Sequence, residues 1–201
     1  MQKIKFNNIN FRIILIFLSL YISILIGFYF NEDSLGGANN DFNYHYKISL
    51  EFTKNFFATF NNFGTQEAGM GTRNSPIFWI LISQIIKLIS YDALRIINSF
   101  VSLLICLFFF KCLKIRFKKI SSLVLAFIAC SIFLSPTIRS LSIWPYSLIW
   151  GLLFFIMSVF YFLKFLDARN EIGKFKQSLF AIFFVALGAY FYPAFGIFFL
   201  F

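Results

Sequence analysis

The run FRIILIFLSLYISILIGFYF, Phe11 to Phe30, decides the fold, because its twenty residues carry a single charge, Arg12. As a helix they rise about 30 Å, the thickness of the hydrocarbon core of a bilayer. Lys3 and Lys5 precede the run. A cleaved signal peptide has a shorter apolar region, about 7–15 residues, that ends in small residues. Phe28-Tyr29-Phe30-Asn31-Glu32 offers no such ending, so the run reads as an uncleaved first membrane span.

The rest of the chain has the same character. Of 201 residues, 60% are apolar, 22% aromatic and 13% charged, and the mean hydropathy is +0.80. Soluble domains carry roughly a quarter of their residues as charges, so a soluble fold and a disordered tail are both excluded. The net charge of +10 would suggest nucleic acid in a soluble protein. Here most Lys and Arg flank apolar runs, where they set orientation and touch anionic headgroups, so membrane lipids and no nucleic acid are the expected partners. Cys106, Cys112 and Cys130 have no C-x-x-C spacing, and the chain has a single histidine. They read as small buried apolar residues, and no metal site is expected.

Further apolar runs lie at 76–90, 92–113, 120–138, 143–163 and 178–201. The 76–90 run is short, and Ser83, Gln84 and Lys87 share one face, which predicts an interfacial or re-entrant helix. Placed in the outer interface, it leaves about five spans, with 12 basic residues inside and 6 outside. Placed across the membrane, it inverts that count, against the positive-inside rule. The expectation is one all-α membrane domain over 1–201: a polytopic helical bundle with its N-terminus in the cytoplasm. Residues 31–91 then form a long first outer loop.

That loop holds Glu32, Asp33, Asp41, Glu51 and Glu67, five of the eight acids. Tyr44, Ile48, Phe52, Phe56 and Phe60 recur every four residues, predicting an amphipathic helix over about 44–60 lying on the membrane. Asn74-Ser75-Pro76 reads as the capped start of the second interfacial helix, and Asp92 as the cap of the next span. Asp41 sits at the start of the interfacial helix, where it suits a cap and a general base at the edge of the bilayer, two roles that do not exclude each other. His45 follows four residues later on the same helical face, within reach of a shared proton or ligand.

The layout resembles the membrane glycosyltransferases of the GT-C fold: one span, a long outer loop with an early Asp, two interfacial helices and a bundle behind. The matching stretches are Asn40-Asp41-Phe42-Asn43-Tyr44-His45, Asn74-Ser75-Pro76-Ile77-Phe78-Trp79, Ala93-Leu94-Arg95, Ser135-Pro136-Thr137-Ile138-Arg139 and Gly188-Ala189-Tyr190-Phe191-Tyr192-Pro193. The resemblance implies transfer of a sugar from a polyprenyl-phosphate donor to a lipid, glycan or protein acceptor on the outer face of a bacterial inner membrane. It makes Asp41 the catalytic base of an inverting displacement. It also makes Arg139, followed by Arg73 and Arg95, the cation that meets the leaving phosphate.

Tyr44, His45 and Trp144 are further substrate-binding candidates, although Trp144 and Tyr146 suit interfacial anchors better. Thr137 to Ser147 contains no Asp or Glu, the residues several such families use for a metal, so no cofactor is expected and a divalent metal is disfavoured. GT-C enzymes generally have eight or more spans, so the chain reads as an N-terminal portion. Two other readings remain, a transporter or flippase of lipid-linked saccharide and a non-catalytic membrane fragment. Transporters place ionisable residues within their spans, and these spans have almost none.

Overall fold

The computed structural model describes residues 8–34, 36–62 and 76–199, and among them every regular element is a helix, with no strand. The helices are α1 (Asn8–Tyr29), α2 (Ala38–Lys54), α3 (Phe56–Asn62), α4 (Pro76–Ile86), α5 (Tyr91–Arg116), α6 (Ser122–Cys130), α7 (Pro136–Ile143), α8 (Ser147–Asp167) and α9 (Glu171–Phe191). Short 3-10 segments follow α6 at Ser131–Leu134 and α9 at Pro193–Phe199. Four helices, α1, α5, α8 and α9, are long and apolar enough to cross a membrane. A fifth crossing arises if α6 with its 3-10 extension is counted together with α7. The protein is an integral membrane helical bundle.

Local chemistry sets the boundaries. Ser90, not Asp92, caps α5, its side chain accepting from the Ala93 amide. Asn170 caps α9 through the Gly173 amide at 2.8 Å, so this helix begins seven residues before the expected 178. It stops at Phe191 because Pro193 has no N–H and forces the residue before it out of the helical region, and Tyr192 is extended. Pro136 acts the same way on the expected continuous 120–138 span. Ser135 is extended, and α7 leaves the axis of the preceding helix by 80°.

The predicted 44–60 helix also changes. It starts earlier, at Ala38, and breaks at Asn55 into α2 and α3. A strict four-residue repeat drifts by roughly 40° per step on a 3.6-residue helix, so Tyr44 and Phe60 cannot share the face of Phe52. Phe52 is fully buried with Phe42 and Ile48, whereas Tyr44 and Phe60 are exposed. α4 ends at Ile86, short of the expected 90, and buries Phe78, Trp79 and Ile82. Ser83 is buried with them, because its hydroxyl donates to the Ile80 carbonyl; only Gln84 and Lys87 stay exposed.

Two ends of the bundle are defined by polar contacts. At one, Asn31 and Glu32 after α1 meet Arg95 of α5 and Trp144 after α7. At the other, Lys118 after α5 pairs with Asp167 of α8 at 3.0 Å. Between the ends, α8 and α9 approach closely at Gly188, where an added Cβ would lie 3.2 Å from the Gly151 carbonyl oxygen. Tyr161 and Phe154 flank Phe184 in near-parallel stacks beside that crossing.

Asn98, fully buried on α5, braces α7. Its amide donates to the carbonyls of Leu141 (2.8 Å) and Ser142 (3.0 Å), and its oxygen accepts from Trp150 Nε1 at 3.1 Å. Asn98→Ala strands three buried polar groups and is expected to cost about 2–4 kcal/mol, read as a lower unfolding midpoint in detergent. Ser99→Ala is the control: its hydroxyl bonds only the Ile96 carbonyl of its own turn, and a loss under about 1 kcal/mol is expected.

Candidate functional site

The polar end around Glu32 is organised by the turn that closes α1. The Glu32 amide donates to the Gly27 carbonyl at 2.8 Å and the Asn31 amide to the Phe28 carbonyl at 3.1 Å. Asn31 has φ 52, so this is a Schellman closure with asparagine in the left-handed position. Two residues are thereby aimed in different directions. Asn31 Oδ1 accepts from Arg95 Nη2 at 3.0 Å, and the Glu32 carboxylate accepts from Arg139 Nε at 2.6 and 2.8 Å.

Arg139 is thus paired, although its own loop has no acid; the partner lies 107 residues earlier. Its Nη1 donates to Ser23 Oγ at 2.9 Å and its Nη2 to the Ser23 carbonyl at 3.0 Å. Three of the five guanidinium N–H groups are therefore engaged. The Arg139 hydrogen bond, with the Ser34 hydroxyl and the arginine charge adding to it, holds the Glu32 carboxyl below its ordinary range despite some burial.

Arg95 is buried in an aromatic cage, its guanidinium 3.8 Å from the Trp144 ring centre and 4.6 Å from that of Phe28. Asp92 reaches it only at 3.5 Å. Trp144 is neither an open stacking platform nor an interfacial anchor. Its ring is buried over Arg95, and its N–H donates to the Glu32 carbonyl at 3.0 Å.

Asp33, not Asp41, caps α2. Its carboxylate accepts from the amides of Gly36, Ala38 and Asn39 at 3.0–3.2 Å. Burial alone would raise its pKa, but the backbone amides outweigh burial and hold it low. Asp41 stands one turn into α2, exposed, with no side-chain partner among the described residues. Its neighbours fix the helix: Phe42 is buried against Tyr91 and Trp144, and Asn43 accepts from the Tyr91 hydroxyl at 2.9 Å.

His45 is not joined to Asp41 by a hydrogen bond. It turns inward and stacks on Trp79 at 4.2 Å, with Tyr146 at 5.0 Å and the exposed Tyr44 at 5.5 Å. Burial pushes its imidazole down to about 4, so the ring is neutral at pH 7. Arg73 and Asn74-Ser75 lie outside the described residues. The described residues contain no cluster of three or more potential metal ligands. Sequence reasoning missed Glu32, Asn31, Ser23 and Asn98 as partners, because each acts on a residue 43 or more positions away. The one local signal was Asn31-Glu32 directly after an apolar run. No known protein family, curated protein or solved structure matches this chain.

One imidazole, His45, and one carboxyl, Glu32, make stability depend on pH in separable windows. His45 is lowered in the folded state, so the unfolded chain takes up its proton first, and stability falls by up to about 3 kcal/mol as pH drops from 6.5 to about 4. His45→Phe is expected to flatten that limb. Glu32 is also lowered, so its contribution is complete above its ordinary value near 4.5 and is lost as pH falls through the folded value. Glu32→Gln should cost about 1–3 kcal/mol at pH 7 and leave the limb above pH 5 intact. Denaturation midpoints in detergent across pH 3–8 read both.

Proposed function

We propose that the protein is a membrane glycosyltransferase that moves a sugar from a polyprenyl-phosphate donor to an acceptor at the outer face of the membrane, with Asp41 as general base. The observation that carries this reading is the setting of Asp41. Its carboxylate is exposed and without a partner among the described residues, yet it stands on a helix anchored to the bundle through Phe42 and Asn43. A base on a rigid element at the membrane edge suits a donor whose tail stays in lipid while its sugar reaches water.

The acceptor oxygen attacks the anomeric carbon and gives its proton to Asp41. The bond from that carbon to the phosphate oxygen breaks, and the phosphate leaves with the electron pair, inverting the configuration. Arg139 keeps two guanidinium N–H groups for phosphate oxygens, whereas the caged Arg95 serves the fold. A transport pathway is less well supported. The buried polar groups within α5 are committed: Asn98, Ser99 and Ser102 to α7, to Trp150 and to their own helix, and Arg95 to its aromatic cage and Asn31.

Membranes containing the parent chain are expected to transfer label from polyprenyl-phosphate sugars, and Asp41→Asn to slow transfer by about 10²-fold or more. Equal transfer at equal expression would remove Asp41 from this role. The orientation has its own test: a Cys replacing Lys54 is expected to react with an impermeant reagent added outside, and one replacing Lys119 only after the membrane is opened. The reverse pattern would place the Asp41 end in the cytoplasm.

A further inference from the structure

The net charge of the chain is not spread over the bundle. The described residues of 31–95 together with Arg139 carry five acids and five cations, so among the described residues the Glu32 end is balanced. At the opposite end, residues 111–119 carry five cations and no acid, and residues 164–176 carry four cations and two acids. Both of those acids are already bridged, Asp167 by Lys118 at 3.0 Å and Glu171 by Lys174 at 3.0 Å.

Within this end, the C-terminal turns of α5 and α8 enclose a notch of about 290 Å³. Its lining is of two kinds: Arg116, Lys118 and Asp167 on the polar side, and Ile115, Leu163 and Leu166 on the apolar side. Arg116 is exposed and has no partner among the described residues. Lys118 has one N–H direction committed to Asp167 and others free.

We infer that this notch holds the headgroup of an anionic phospholipid: the phosphate meets Arg116 and Lys118, and the first methylenes of its chains lie on Ile115, Leu163 and Leu166. Three observations point to a lipid in preference to a free anion. The notch lies where two helices long enough to span a membrane end, so lipid headgroups are its surroundings. Half of its named lining is aliphatic, which a bare phosphate would leave unused. The charge around it is strongly net positive, nine cations to two acids over residues 111–119 and 164–176, and each cation near an anionic bilayer surface adds attraction that a zwitterionic lipid does not receive. The inference is independent of the transfer reaction, whose residues lie at the other end of the bundle.

The test uses the purified full chain in detergent, with phosphatidylglycerol and phosphatidylcholine added in equal amounts and retained lipid measured by native mass spectrometry. Retention of phosphatidylglycerol in clear excess is expected. Arg116→Gln should weaken it about fivefold, and Lys176→Gln, which removes an equal charge outside the notch, should leave it near the parent value. Equal retention of the two lipids, or equal loss in both variants, would overturn the site. Displacement of the phosphatidylglycerol by millimolar inorganic phosphate would also overturn it, because the notch would then select a free anion.

Discussion

The turn after α1 is the constraint on which the polar end depends. A helix that ends at a membrane surface leaves carbonyls to satisfy, and a chain that must turn at once has few ways of doing so. With Asn31 at φ 52, its own amide meets the Phe28 carbonyl and the next amide, that of Glu32, meets the Gly27 carbonyl. That frees the Asn31 side chain for Arg95 and delivers Glu32 to Arg139. One residue in the left-handed region thus ties α1 to α5 and α7. Asparagine tolerates that conformation far better than a branched residue would. The two arginines stand in different balance. Arg139 has a carboxylate on its Nε, whereas Arg95 depends on Trp144, Phe28, Asn31 and the Ile143 carbonyl, with an exposed Asp92 at the margin. A buried cation losing any of these would be left poorly compensated, so the cage and the turn stand or fall together.

The spans were legible because their signal is length and composition alone, and twenty apolar residues have no competing reading. The bend at Pro136 was legible in principle, since proline acts on its own neighbours. The expectation of a continuous helix there gave too much weight to the apolar run on either side. The two-helix break at Asn55 was hidden by a repeat of four, which suggests a stripe yet winds around the helix. Capping was partly misread for a different reason. Asp33, Asp41, Ser90 and Asp92 all have cap chemistry, and only the path of the chain decides which of two nearby oxygens faces the free amides. The pairs Arg139–Glu32 and Asn98–Leu141 were invisible, because nothing local to either partner encodes the other.

Burial redistributes the residues that looked most chemical. Trp144 read as an interfacial aromatic and His45 as a partner of Asp41 for a proton or ligand, and both are turned into the packing between α2, α4 and the segment after α7. In a chain with 33 phenylalanines against nine tyrosines and three tryptophans, the hydrogen-bonding aromatics are the ones able to join a polar helix end to an apolar interior. Trp144 does this with one N–H and one ring face, on Glu32 and Arg95. Among the described acids of that end, Asp41 is exposed and has no side-chain partner among the described residues.

This arrangement also bears on how a leaving phosphate would be met in the proposed reaction. Because Glu32 offsets the charge of Arg139, the pair presents little net positive potential. Its remaining value to an anion is directional: two N–H groups fixed in one plane by Ser23 and Glu32. Fixed donors favour the state in which the phosphate oxygen has gained charge more than the state before, since little reorganisation is needed at the moment the bond breaks. A lone exposed lysine would attract donor and product alike and so accelerate nothing. The neutralising carboxylate therefore does not argue against a role for Arg139. It shifts that role from attracting the lipid phosphate to distinguishing the departing phosphate from the bound one.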